Sequence, residues 1–203
     1  MARDIKKEHK DLYGPPADRV TFVDVPPMSF LMVDGRGNPN GPIFQARTED
    51  LYALAYGVRA VLKREGLEYT VGPLEALWSA DDPAEFVRGE KDRWDWTLLI
   101  VQPAEATPAI VDGVRADVAR KKGRPGVESV RLEEYDEGRA VQIMYVGAYA
   151  DEGPTIARLH EVARAEGYAL TGRHHEIYLG DPRRTAPEKL RTVLRQPVQR
   201  MLQ

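Results

Sequence analysis

The strongest constraint on this chain is an internal repeat. Lys63-Arg64-Glu65-Gly66-Leu67-Glu68-Tyr69-Thr70-Val71-Gly72-Pro73-Leu74-Glu75 lies without gaps over Arg164-Ala165-Glu166-Gly167-Tyr168-Ala169-Leu170-Thr171-Gly172-Arg173-His174-His175-Glu176, at a constant offset of 101 residues. Glu65-Gly66 falls on Glu166-Gly167, and Glu75 falls on Glu176. A weak but ordered self-match of this kind predicts two units built in the same element order. The predicted fold class is therefore α+β, as tandem strand-helix-strand-strand repeats related by a pseudo-twofold axis. An antiparallel-sheet module with a ligand groove between the repeats follows from that arrangement.

Element signals support the same order. Met28-Ser29-Phe30-Leu31-Met32-Val33 is almost wholly apolar and predicts a central strand buried on both faces. A loop rich in turn formers runs from Gly35 to Pro42; its Gly35-x-Gly37 lacks the rest of a dinucleotide fingerprint. From Arg47 to Arg64, Leu51, Leu54, Ala55, Val58, Val61 and Leu62 form a helical stripe, with Thr48 and Asp50 at its start and Gly66 at its end. Strands are predicted at Glu68 to Val71, Leu74 to Trp78 and Trp94 to Val101, with a charged loop including Asp81-Asp82-Pro83 between the last two.

Thr107-Pro108 opens a second helix with Ile110, Val111, Val114 and Val118 inward. Next comes a predicted hairpin, Ser129 to Glu134 turning through Asp136-Glu137-Gly138 into Ala140 to Tyr149. A helix carrying Ile156, Leu159, Val162 and Ala163, a strand at Tyr168 to Thr171 and the Glu176 strand complete the second unit. Thr185-Ala186-Pro187-Glu188 has capping-box spacing and predicts a last helix through Leu190, Val193 and Leu194. Residues 1–20, charged and containing Gly14-Pro15-Pro16, read as an N-terminal arm that is poorly ordered or laid on the surface. Residues 21–203 read as a single domain of two repeats, about 26–104 and 127–203.

Composition narrows the function. With no cysteine, the chain has no disulfide, thiolate ligand or cysteine nucleophile, and a cytoplasmic location is the default expectation. The net charge of -3 comes from 29 basic and 32 acidic residues interspersed along the chain, so no nucleic-acid partner is expected. No apolar run is long enough to span a membrane, and the composition does not fix an oligomeric state.

The chemistry concentrates on Arg173-His174-His175-Glu176-Ile177-Tyr178-Leu179. On a strand, His175, Ile177 and Leu179 share one face, and His174, Glu176 and Tyr178 share the other. Adjacent strand histidines point apart and cannot reproduce the helical His-Glu-x-x-His geometry, so no metal or other cofactor is predicted. Tyr52 and Tyr56 lie one turn apart beside the core stripe of the first helix. Those two, with Trp78, Trp94, Trp96, Tyr145, Tyr149 and Tyr178, bring the aromatic residues into the repeated units. A groove with aromatic walls and with Glu75 and Glu176 at its base would take a flat apolar molecule, and would favour a cationic one while the carboxylates stay ionised. Such a Glu also suits a general base toward water, and a facing tyrosine a donor to an oxygen gaining charge. Trp78 shares a face with Leu74 and Ala76, which suits a core position equally.

His174-His175-Glu176-Ile177-Tyr178-Leu179-Gly180-Asp181-Pro182-Arg183, Pro187-Glu188-Lys189-Leu190 and Pro73-Leu74-Glu75-Ala76-Leu77-Trp78 also carry a family resemblance. With Leu12-Tyr13, Met32-Val33-Asp34-Gly35 and Trp94-x-Trp96-Thr97, they resemble the stand-alone GyrI-like proteins of the small-molecule-binding superfamily, across nearly the whole chain. The resemblance implies an SHS2-type tandem fold with the groove between repeats. It also implies kinship with enzymes that hydrolyse the cyclopropane of DNA-alkylating compounds of the yatakemycin and duocarmycin class. By that resemblance Glu176 is the base that activates water and Tyr56 the donor to the developing phenolate, while Glu75, Tyr52, Trp78, Trp96, Tyr149 and Tyr178 shape the groove. The alternative is a non-catalytic module that senses or sequesters apolar drugs, as relatives fused to DNA-binding domains do.

Overall fold

A computed structural model of the chain describes residues 2–79 and 91–201; the predicted charged loop at Asp81-Asp82-Pro83 lies outside them. Two short helices, α1 (Ile5–Glu8) and α2 (Lys10–Tyr13), precede strands β1 (Thr21–Val25) and β2 (Met28–Arg36). Helix α3 (Pro42–Arg64), strands β3 (Leu74–Ser79) and β4 (Asp95–Val101), and helix α4 (Pro108–Lys122) follow. The remainder is β5 (Arg131–Tyr135), β6 (Gly138–Val146), α5 (Gly153–Ala165), β7 (Tyr168–Leu170), β8 (His174–Tyr178) and β9 (Arg191–Arg200). The chain divides into one unit of Met1–Glu8 with Met28–Tyr135, and another of His9–Pro27 with Asp136–Gln203.

The first unit is an antiparallel sheet in the order β3-β4-β2-β5 with α3 and α4. Phe30, Leu31, Met32 and Val33 are all buried because β2 is flanked by β4 and β5 and covered on both faces. The α3 stripe of Leu51, Leu54, Ala55, Val58 and Leu62 is buried as predicted. The helix begins five residues earlier than the Arg47 expected, since Gly41 is its N-cap and Pro42 takes the first turn. Thr48 is therefore interior, its hydroxyl donating to Phe44 O at 2.9 Å, and buried Asp50 accepts from Arg124 at 3.3 Å. Gly66, at φ +96°, ends the helix where a side chain would be strained. Thr107 caps α4 as predicted, accepting from Ile110 N.

Several expectations fail here for identifiable reasons. Gly35 belongs to β2 and not to the loop: it sits opposite Trp96 on β4, and a Cβ there would lie within the indole ring. The predicted strand at Glu68 to Val71 is reduced to one parallel bridge, Arg3 to Tyr69. Arg3 N donates to Glu68 O at 2.9 Å and Thr70 N to Arg3 O at 2.8 Å, so these polar groups find partners without a ladder.

The second unit is the sheet β1-β6-β9-β8, with β7 also on β9, and α5 packed on one face. Val141, Ile143, Leu159, Ala163, Leu194 and Val198 form its core. The predicted hairpin is absent. β5 pairs with β2 in the first unit while β6 pairs with β1 and β9 in the second, so the chain passes between units at Asp136. The predicted last helix is also corrected: Pro187–Lys189 is a single 3-10 turn, and Arg191–Arg200 is a strand. Its run from Thr192 to Val198 is buried throughout because β6 and β8 flank it, a both-faces pattern that happens to include helical spacing at Leu190, Val193 and Leu194. Nor is the N-terminal segment only a surface arm. Leu12 and Tyr13 are buried in the second unit, and Met144 N donates to Pro16 O at 3.0 Å.

Candidate functional site

Strand β8 organises the titratable groups of the second unit by simple alternation. On one face His175 is buried, with Nδ1 3.0 Å from Glu137 Oε1. Glu137 also accepts from Arg195 Nη1 at 3.0 Å, and Arg195 donates onward to Gln142 Oε1 at 3.0 Å and to Leu12 O at 2.6 Å. Burial opposes ionisation of Glu137, but His175 and Arg195 outweigh it and hold the carboxylic acid down to about 2. This network locks the inward face of β8 to the start of β6, to β9 and to α2.

The opposite face carries His174, Glu176 and Tyr178, as the alternation predicts. Glu176 is 8% exposed, and the Tyr178 hydroxyl donates to its Oε2 at 2.6 Å. On the other oxygen, His174 Nε2 stands 3.6 Å from Oε1. Tyr149, from a 3-10 turn at Tyr149–Asp151, meets the Tyr178 ring edge-on with centroids 5.4 Å apart. Burial, joined by the negative charges of Glu152, Glu176 and Asp181, pushes the Tyr149 phenol up to about 12, so it keeps its proton. His174 is driven the other way. Burial, with His160 and His175 nearby, brings it down to about 3, leaving a neutral imidazole. The His160 ring of α5 stands perpendicular to it at 6.4 Å, itself lowered by burial and by Arg164.

The first unit holds the remaining candidates. Tyr52 and Tyr56 stack on α3 with centroids 6.1 Å apart, and Tyr56 is exposed. Glu75 is buried on β3, opposite Leu99 of β4. Trp78 lies parallel to Phe44 at 6.0 Å and edge-on to Trp94 at 5.8 Å; its buried Nε1 has no hydrogen-bond partner among the described residues. Trp96 is a core residue: its ring fills the space above Gly35, meets Phe44 edge-on at 5.0 Å, and donates from Nε1 to Gly37 O at 3.0 Å.

Geometry thus joins Tyr149, Glu176 and Tyr178 in one cluster, pairs Tyr52 with Tyr56, and links Trp78 to Trp96 through Phe44. Three participants escaped the sequence reading. Glu137 lies in the predicted turn, Arg195 follows the last residue named for the predicted final helix, and His174 is predicted on the Glu176 face with no role assigned to it. The one signal available was the period-two pattern His174-x-Glu176-x-Tyr178, which places an imidazole, a carboxylate and a phenol side by side. Among the described residues no group of three or more potential ligand side chains is placed to hold a metal ion. A buried carboxylate with a phenol and a neutral imidazole beside it can accept a proton from water or face a cation.

The family model of the GyrI-like small molecule binding domain matches residues 19–199. An uncharacterised conserved protein from Listeria innocua is 35% identical, covers 97% of this chain and 100% of its own, and superposes with a TM-score of 0.91. A structure described as a hydrolase from Listeria innocua is also 35% identical, with 97% and 100% covered and a TM-score of 0.85. A further Listeria innocua hydrolase structure is 34% identical, with 98% and 100% covered and a TM-score of 0.89. No curated protein matches the chain.

Proposed function

As this chain belongs to the GyrI-like small molecule binding domain family, we propose that it binds a flat apolar or aromatic molecule and hydrolyses it, with Glu176 activating the water. The substrate class we propose is the DNA-alkylating cyclopropanoids, whose detoxification protects the cell. The observation that carries this reading is the buried Glu176 carboxylate with the Tyr178 hydroxyl at 2.6 Å. Support comes from the relatives of 34% and 35% identity that are described as hydrolases.

In the proposed step, water oxygen bonds to the cyclopropane methylene while the strained carbon–carbon bond breaks. The electron pair passes through the conjugated dienone to its oxygen, which becomes a phenolate. Glu176 takes the proton released by water, and a phenol donates a hydrogen bond, then a proton, to the product phenolate; transfer of the Glu176 proton to the donor's own phenolate oxygen restores both side chains and completes addition of one water. Tyr56 is the donor implied by the family resemblance. Tyr149 is the second candidate, because its proton is retained up to about pH 12 and it adjoins Tyr178.

The test is incubation of the protein, and of Glu176→Gln, with a duocarmycin-class cyclopropane, following ring opening by chromatography and mass. The expected result is a gain of one water with wild type and a fall of at least a hundredfold in the variant, about the size of a general-base contribution. Tyr56→Phe and Tyr149→Phe then decide which phenol serves. Binding without water addition by wild type would replace hydrolysis with the second reading, a drug-binding module whose buried carboxylate meets a cationic ligand directly.

A further inference from the structure

The two oxygens of Glu176 have different neighbours, and this asymmetry points to a role for His174. Oε2 accepts from the Tyr178 hydroxyl, while Oε1 faces His174 Nε2 at 3.6 Å. Both ring nitrogens of His174 are buried and neither makes a well-formed hydrogen bond among the described residues, the neutral side chain of Gln196 standing beside the ring. Leaving a buried donor unsatisfied costs about 1–3 kcal/mol, and the nearest charge complement on the same strand face is Oε1. The ring is already held edgewise against His160, with centroids 6.4 Å apart. We propose that His174 is the positioning residue for Glu176, donating from Nε2–H to Oε1 so that imidazole and phenol together orient the carboxylate and keep it anionic.

The sequence imposes this arrangement. Residues 174, 176 and 178 are successive positions on one strand face, spaced so that the central carboxylate is within reach of both neighbours. The tautomer follows from electrostatics: an unprotonated Nε2 would set its lone pair against a carboxylate, whereas Nε2–H is attracted to it. A neutral imidazole has a further consequence. It orients the carboxylate without cancelling its charge, so Glu176 remains available to take a proton. This inference rests on the reading of Glu176 as the base.

Other titratable and charged groups surround the pair. His160 and Arg164 come from α5, Tyr149 and Glu152 from the turn before it, and Asp181 follows β8. His175 is on β8 itself, with Glu137 and Arg195 behind it. Asp181 is kept ionised by Arg183, and Glu137 by His175 and Arg195, so neither changes charge near neutral pH. A midpoint for Glu176 must therefore be read at Glu176 directly.

The experiment is carbon NMR of the full chain labelled at the glutamate carboxyls, with the Glu176 signal identified by its loss in Glu176→Gln. Titrations compare wild type with His174→Gln, whose amide nitrogen reaches the Nε2 position, and with His174→Asn and His174→Leu, which place no donor there. The expected result is a Glu176 midpoint raised by about one pH unit in Asn and Leu, as for a carboxylate losing one donor, and restored in Gln. In the cyclopropane assay kcat falls about tenfold in Asn and Leu with KM little changed, and recovers in Gln. Equal midpoints in all the folded proteins would overturn the positioning role. A shifted midpoint without any ring opening by wild type would leave the positioning role standing and remove the hydrolase reading.

Discussion

Glu137 and His175 face each other across 3.0 Å in the interior of the second unit, their side chains each 1% exposed. Arg195, on the neighbouring strand β9, closes the cluster by donating to the second Glu137 oxygen. Removing Glu137 deprives two buried donors, His175 and Arg195, of their shared carboxylate, and breaking a buried ion pair in this way costs about 3–5 kcal/mol. Glu137→Ala is expected to lower unfolding free energy by that amount in urea titrations at pH 7. A loss below about 1 kcal/mol would mean that the cluster is dispensable.

The same carboxylate predicts an acid dependence. Its folded value, about 2, lies below the ordinary 4.5, so the unfolded chain binds the proton more readily. The contribution of Glu137 is fully present above about pH 4.5 and is lost as pH falls toward 2. Urea midpoints measured from pH 5 to 2.5 should decline in wild type and decline less in Glu137→Gln.

His174 acts in a neighbouring window. Its folded value of about 3 lies below the ordinary 6.5, so between these limits the unfolded state carries the extra proton and stability rises with pH. Replacing it by Gln should reduce that slope by up to about 1.4 kcal/mol per pH unit, the value for one proton. Unfolding free energies at pH 4, 5 and 6 provide the check. An unchanged slope would show that the imidazole is not buried neutral.

Gly35→Ala tests the Trp96 packing. The strand geometry at residue 35 needs no positive φ, so the demand for glycine comes wholly from the indole lying over its α-carbon. Overpacking of this sort costs about 1–3 kcal/mol. A lower melting temperature with altered tryptophan fluorescence is expected; unchanged melting would contradict the contact.

Tyr69 and Tyr149 are both raised to about 12, the first by burial against the opposing charge of Arg59, the second by burial and nearby carboxylates. With folded values above the unfolded 10, their contribution to stability is present below pH 10 and is lost as pH rises through 12. Absorbance titration should show ionisation late, and Tyr69→Phe and Tyr149→Phe should each remove part of that late phase.

What the sequence revealed depended on whether local pattern and long-range pairing agreed. The α3 stripe, the Thr107 cap and the alternation along β8 are local, and each survives in the structure. Pairing of β5 with β2 and of β6 with β1 is not local, and nothing in Ser129 to Tyr149 distinguishes it from a hairpin. β9 misled through burial on both faces, which hides the period of two. The candidate site was half legible for the same reason: the neighbours of Glu176 on its own strand were readable, whereas Glu137 and Arg195 become relevant to β8 only through sheet register.

The strand β1 also fixes an order of events during synthesis. Thr21 pairs with Gln142, 121 residues further along the chain. At about 5–20 residues per second, that partner leaves the ribosome on the order of ten seconds later. Until then the nascent N-terminus carries an unpaired strand edge and the uncovered side chains of Leu12 and Tyr13, the kind of surface that chaperones engage and that aggregates when they do not. The second unit is completed only when β9 joins β6 beside β1, so its assembly waits until Arg191–Arg200 has been made.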